Sequence, residues 1–178
     1  MSVGPPLRHA PEQLTTPRLR GVRLDASFTD DLIGMWADER VTATLGGYRT
    51  AEQVAAMVRY YEAQWRDNGF GEWAWLDRST GAFAGRAGLR RITIDGASEV
   101  ELGYAFVADR WGQGLATEVG TEIVRVAFDE VGLPDVVSFT LPTNRGSRHV
   151  MEKCGFVYEK DVIHADLPHV FYRRRRAA

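Results

Sequence analysis

Several things are scarce in this chain, and each scarcity removes a class of explanation. Its 178 residues include one cysteine, Cys154, which excludes an internal disulfide framework and fits a reducing, cytoplasmic compartment. The four histidines, His9, His149, His164 and His169, show no metal-ligand spacing, so no metal is implied. No apolar run approaches the roughly 20 residues of a membrane span, so no membrane is expected as a partner. The first residues carry Pro5, Pro6 and Pro11 without an apolar core segment and do not read as a signal peptide. Charge of one sign is lacking too: 22 Lys and Arg against 24 Asp and Glu leave a formal charge of −2. That balance gives no footprint for nucleic acid, and the run Arg173–Arg176 reads as a solvated C-terminus.

What is present is ordinary globular material, 44% hydrophobic and 26% charged, enough for one domain with a real core. The expected organisation is a loose arm over 1–14, a single domain over 15–173 and a basic tail over 174–178. Arg18 to Leu24 alternates as a first strand. Ser27 or Thr29 caps a helix to about Ala37, with Phe28, Leu32, Met35 and Trp36 inward, and Thr50 caps a second to about Asp67. The period then changes to two, and 72–77, 83–94 and 98–107 read as strands joined by turns at Ser79-Thr80-Gly81 and Asp95-Gly96. Helical spacing returns over 115–131 and stops at Gly132-Leu-Pro134. A buried strand (136–141), a short helix (144–154) and two strands (156–163 and about 166–173) complete the chain. The fold class is α/β with mixed α+β character: a twisted, mostly antiparallel sheet of about seven strands flanked by about four helices.

The most informative segment is Asp109-Arg-Trp-Gly-Gln-Gly-Leu-Ala-Thr-Glu118, between a strand and a helix. Two glycines at such a junction leave backbone N–H groups uncovered where the helix dipole adds positive character, which suits an anion. A dinucleotide fingerprint needs glycine or alanine at position 117 and an acid about 20 residues on, but Thr117 and Gly132 stand there. A P-loop needs Gly-Lys-Ser/Thr, which is absent. A third pattern, Gln/Arg-x-x-Gly-x-Gly/Ala, aligns as Trp111-Gly-Gln-Gly114-Leu-Ala116 with tryptophan in first position.

That loop resembles the acyl-CoA loop of the GNAT N-acetyltransferases. The longer string Trp-Gly-Gln-Gly-Leu-Ala-Thr-Glu is similar to the RimJ/RimL-like, ribosomal-protein acetyltransferase branch. Glu101-Leu-Gly-Tyr104 and Asn144-Arg-Gly-Ser-Arg-His-Val-Met-Glu-Lys-Cys-Gly-Phe156 match further motifs of that branch in order, and Thr16-Pro-Arg-Leu-Arg20 looks like its opening. The resemblance covers about 14–172. It implies acetyl-CoA as co-substrate, with Trp111, Gly112, Gln113, Gly114, Leu115, Ala116 and Thr117 around the pyrophosphate. The backbone near Phe106 and Val107 would take the pantetheine arm, and Asn144, Ser147 and Arg148 would lie on the cofactor side of the second motif. Arg110, Arg145 and Arg148 are candidates for cationic help, though a solvated helix face explains Arg145 and Arg148 as well.

Direct transfer to an amine needs a base, a stabilised carbonyl oxygen and a leaving thiolate. Glu101 is the preferred base: alternation places it with Glu99, Gly103, Ala105 and Val107, small residues that would leave room, opposite Val100, Leu102, Tyr104 and Phe106. Asp166, or His164, could share that role. Many family members carry a tyrosine acid seven residues after the helix asparagine, and Met151 stands there. Ser147 is the alternative acid, or the thiolate departs unprotonated. Cys154 reads as core. Tyr48, Tyr60, Tyr61 and Trp65 are candidate lining residues of the acceptor cleft. The acceptor is read as a protein N-terminus or a small amine such as an antibiotic or polyamine, and the chain as monomer or homodimer. A non-catalytic acyl-CoA-binding module and a nicotinamide-dependent enzyme are the competing classes.

Overall fold

The computed structural model describes residues 8–177. Among them eight strands form one sheet in the order β1-β2-β3-β4-β5-β6-β8-β7. The strands are β1 (Gln13–Thr15), β2 (Leu19–Arg23), β3 (Glu72–Asp77), β4 (Phe83–Ile94), β5 (Ala97–Phe106), β6 (Asp135–Thr140), β7 (Val157–His164) and β8 (Leu167–Arg175). All neighbours are antiparallel except β5 and β6, which run parallel. The helices are α1 (Thr29–Ala37), α2 (Glu39–Thr42), α3 (Ala51–Asn68), α4 (Leu115–Arg125) and α5 (Arg145–Lys153).

The strands at 72–77 and 83–94 have the expected bounds, set by the turn residues that flank them, although burial along most of each is continuous rather than alternating. Thr50 caps α3 in a full capping box with Gln53, and left-handed Gly69 ends it. At α1 the expected caps are replaced. Asp25 caps a short 3₁₀ turn over Ala26–Phe28, and the Thr29 hydroxyl donates instead to the Ala26 carbonyl. The helix expected over 115–131 stays α-helical to Arg125 and widens into a π-type turn over Val126–Val131.

Both chain ends differ from expectation. Residues 8–14 are packed rather than loose. The Arg8 and Ala10 amides donate to the Val131 and Gly69 carbonyls, and Ala10 and Leu14 are buried. Pro11 stands just ahead of β1, and its carbonyl accepts from the Trp73 indole N–H at 3.1 Å. The remainder of the expected arm, 1–7, lies outside the described residues. At the other end Arg174 and Arg175 belong to β8, and the Arg174 guanidinium lies 5.7 Å over the Phe128 ring, so the basic run is largely strand.

One core lies between the sheet and α4 and α5, centred on Leu102, Leu115, Val119, Ile123 and Met151. Gly120 makes that packing possible: a Cβ there would come within 2.9 Å of Cys154 Sγ, and Cys154 is 1% exposed. The second core joins α1, α2 and α3 to the opposite face through Leu32, Met35, Val54, Tyr61, Ala74 and Ala105. A smaller cluster of Ile94, Val137, Val162 and Phe171 continues that face toward β7.

Candidate active site

The loop between β5 and α4 is dictated by its glycines. Gly112 and Gly114 hold φ of 72° and 77°, the left-handed region that a side chain disfavours by roughly 1–2 kcal/mol. Gly114 is the N-cap of α4, and no side chain caps the helix there. The first intrahelical bond runs from the Glu118 amide to the Gly114 carbonyl at 3.0 Å. The amides of Leu115, Ala116 and Thr117 are thus left unbonded by helix geometry. A Cβ on Gly112 would meet no heavy atom within 4 Å, so the loop is open on that side. Uncapped amides, the positive end of the dipole and open space together fit a pyrophosphate.

Arg18 braces this loop, a role the sequence did not reveal although Thr16-Pro-Arg-Leu was conspicuous. Its Nη1 donates to the Gln113 carbonyl at 2.7 Å, and its Nε and backbone amide reach Glu118 at 2.7 and 3.0 Å. Partial burial pushes the Glu118 carboxyl up, but bonds from Thr16 and Arg18 outweigh it and hold it below the usual range. Arg110 is placed differently from expectation: its Nη2 is engaged at 2.7 Å with Asp77 of β3, away from the glycine loop. Arg148 Nε donates to the Tyr172 hydroxyl at 3.3 Å, and Arg145 is exposed on α5.

Beside the loop, β5 and β6 diverge. They pair at Glu101–Val137, and the Ser138 hydroxyl donates to the Leu102 carbonyl at 2.9 Å, after which no pairing continues. The Val107 amide is taken by the Ala84 carbonyl. By alternation the Tyr104 and Phe106 amides face the gap. The Trp111 indole N–H donates to the Phe106 carbonyl at 2.8 Å, which leaves the Phe106 amide as the donor for a ligand there and accounts for tryptophan at the loop's first position.

On the α5 side the strand tyrosine meets the helix serine. Asn144 caps α5 by accepting from the Ser147 amide at 3.0 Å, and Ser147 Oγ lies 2.9 Å from the Tyr104 hydroxyl. The same phenol donates to the Ser147 carbonyl at 3.0 Å. Burial pushes the Tyr104 phenol well above its ordinary range, so it keeps its proton. Met151 is fully buried in the core, so the phenol near this helix comes from β5.

Glu101 is 4% exposed on the face covered by α3. The open space expected over Gly103 and Ala105 is filled: guanidinium groups lie above Gly103, and Ala105 belongs to the second core. Arg90 Nη2 donates to Glu101 Oε2 at 2.6 Å. Fully buried Glu72 accepts from Arg86 Nη1 at 3.1 Å and lies 3.6 Å from Arg90 Nε. Burial raises the Glu72 carboxyl, with Arg86 and Arg90 opposing it. Sequence reasoning missed Glu72, Arg86 and Arg90. The available signal was charge at inward positions of strands, but it points to a cluster only once the register pairs Arg90 with Glu101.

Asp166 does not join this group. It sits exposed in the β7–β8 turn at φ 60°, after Ala165 at φ 49°, and turn chemistry accounts for an aspartate there. His164 and His169 stack edge-on against Phe139, 4.9 and 5.3 Å between centroids. Of the aromatic residues expected to line a cleft, Tyr61 and Trp65 are core, whereas Tyr48 and Tyr60 remain exposed. A cavity of about 350 Å³ adjoins Val107 and is lined by Asp30, Asp31, Met35, Asp38 and Phe83 among others.

The profile of the acetyltransferase (GNAT) domain matches residues 18–157. The chain belongs to the GNAT acetyltransferase family. It is therefore an acyltransferase, and the glycine loop is not that of a nicotinamide enzyme. The GNAT chain is 26% identical over 168 residues to the uncharacterised Bacillus subtilis protein YkkB, covering 94% of this chain and 98% of that one. An Agrobacterium tumefaciens acetyltransferase structure superposes with a TM-score of 0.83 at 24% identity, covering 98% and 100% of the two chains. A RimL ribosomal L7/L12 acetyltransferase solved with coenzyme A gives 0.78 at 14% identity over 92% and 98%. An aminoglycoside acetyltransferase in complex with coenzyme A gives 0.71 at 18% over 89% and 94%. The fold is common to these three structures and does not single out the RimJ/RimL branch. Among the described residues no helix is long and apolar enough to cross a membrane, and no group of His, Cys, Asp or Glu could hold a metal.

Proposed function

We propose that this chain transfers the acetyl group of acetyl-CoA to a primary amine by direct attack within a ternary complex. The observation that carries the reading is the uncapped N-terminus of α4 opening beside the point where β5 and β6 part, with Glu101 at their last pair. The amides of Leu115, Ala116 and Thr117 and the loop backbone of Gly112 to Gly114 hold the pyrophosphate. The thioester carbonyl lies against the Phe106 amide, which stabilises its oxygen as negative charge develops. Glu101 takes the proton of the attacking amine, directly or through water. On the thiolate side Ser147 donates a hydrogen bond. The phenol of Tyr104 carries one proton: while it donates to the Ser147 carbonyl, the Ser147 hydroxyl donates to the phenol oxygen, and turning the phenol proton onto Ser147 Oγ frees the serine proton for the sulfur.

Two acceptor classes follow from different observations. Resemblance of the three motifs to the RimJ/RimL branch favours a protein N-terminal amine. The carboxylates of Asp30, Asp31 and Asp38 around the cavity beside Val107 favour a small amine carrying further positive charge, because an anionic wall concentrates cations. The deciding experiment is thiol release from acetyl-CoA with a panel of N-terminal peptides, polyamines and aminoglycosides. The Glu101→Gln enzyme is expected to lose about 10²–10⁴-fold in kcat while still binding CoA. Full turnover by that variant on every acceptor sinks the assignment of the base.

A further inference from the structure

Glu101 is not a solitary carboxylate. Across β3, β4 and β5, two acids and two guanidinium groups alternate: Arg86 touches Glu72, Arg90 lies between Glu72 and Glu101, and Arg90 holds Glu101 at 2.6 Å. The side chains of Glu72, Glu101 and Arg86 are 0%, 5% and 6% exposed, and that of Arg90, the outermost, is 21%. The set is neutral as a whole. Arg90 uses Nη2 on one oxygen of Glu101, and the other, Oε1, accepts no hydrogen bond from the described residues. Gly103, the glycine of Glu-Leu-Gly-Tyr, makes room for this arrangement: a Cβ there would stand 3.0 Å from Arg90 Nη2 and 3.3 Å from Arg86 Nη1.

The other charged and titratable groups around Glu101 are accounted for. Tyr61 of α3 is buried with the Arg86 guanidinium 5.6 Å over its ring, and Tyr60 of the same helix reaches the Arg91 carbonyl at 3.4 Å. Glu99, next on the same strand face, is held by Arg173 at 2.7 Å, and Arg173 also binds Asp135 and Glu159. Among the described residues Arg90 is thus the one cation in contact with Glu101.

We propose that Arg90 is a positioning residue for Glu101: it pins Oε2 and leaves Oε1 as the face offered to the acceptor amine. The inference rests on Glu101 being the base. Fixing one oxygen fixes the direction of the other, so Oε1 keeps a single orientation toward the acceptor. Arginine suits the task better than lysine because one planar fork bridges Glu72 and Glu101 together. Gly103 serves the same end by letting that fork lie against the sheet.

The test is the pH profile of kcat/KM for the acceptor in wild type, Arg90→Gln, Arg90→Lys and Glu72→Gln/Arg90→Gln. The double variant removes one charge of each sign and keeps the cluster neutral should the single variant not fold. In Arg90→Gln or the double variant the acid limb should move up by about one pH unit or more, as loss of an adjacent cation raises a carboxylate. Arg90→Lys should restore most of that shift. The KM for acetyl-CoA should stay within about twofold, because the pyrophosphate loop is not touched. The acceptor's own ionisation is common to all variants and cancels in the comparison. Adding Arg90→Gln to Glu101→Gln should lower kcat no further, since Arg90 acts through Glu101. An unmoved acid limb, or a further loss in the Glu101→Gln background, overturns the inference. Loss of turnover in Glu101→Gln with an unmoved limb in Arg90→Gln removes this inference alone, whereas full turnover in Glu101→Gln removes both it and the base.

Discussion

At Gly114 two effects of a substitution can be separated. Its φ of 77° disfavours any side chain, and its place at the open end of α4 disfavours negative charge. Gly114→Ala tests the first and should lower stability by roughly 1–2 kcal/mol with modest loss of CoA affinity. Gly114→Asp adds a carboxylate where the pyrophosphate is expected, and CoA affinity should fall well over tenfold beyond the alanine variant, about 1.4 kcal/mol or more. Calorimetric titration of both variants with CoA measures the difference, and equal affinities would refute the cradle. At this scale the glycines were legible because each carries its meaning locally, a required backbone conformation, whereas the room read beside Glu101 from its small neighbours is filled by guanidinium groups. Arg18, Arg90 and Tyr104 were not legible. Their partners lie 100, 11 and 43 positions away, at Glu118, Glu101 and Ser147, and nothing local signals such a contact.

Between elements, the tie from the β1–β2 turn to α4 through Arg18 and Glu118 links the first paired strands to the glycine loop. The folded carboxyl of Glu118 is held below its unfolded value. Its contribution is therefore fully present above the unfolded carboxylate range and is lost as pH falls through the lower folded value. Glu118→Gln should cost about 1–2 kcal/mol at neutral pH, and the gap from wild type in denaturant unfolding should close under acid conditions. A gap independent of pH would show that the carboxylate charge is not what holds the loop. The longer elements were readable because their periods and stops are strong, as for α3 with its Thr50–Gln53 box and β4 between two turns. Strand β1, three residues long, and α2, a single turn, escaped. Three or four residues carry too little periodicity, and both exist because neighbouring strands or helices complete their bonds.

For the whole molecule the expected ligand response is selective. CoA at about 100 times its Kd should raise stability by about 2.7 kcal/mol, seen as a clear upward shift in melting temperature, while NAD at the same concentration should give none. Stabilisation by NAD alone would contradict the phosphate loop's assignment. Composition and periodicity were enough for the α/β fold class, and the resemblance of the ordered motifs for an acyltransferase, since these depend on local conformation and on spacing along the chain. Tertiary structure decided the rest. It sent Arg110 to Asp77 instead of the loop, left Asp166 in an exposed turn, and filled the space over Gly103 with guanidinium groups. It also joined Tyr104 to Ser147 and surrounded Glu101 with a neutral buried cluster. Those outcomes depend on strand register and on which faces the helices cover, and burying a charge forces it to find a partner wherever the fold has placed one.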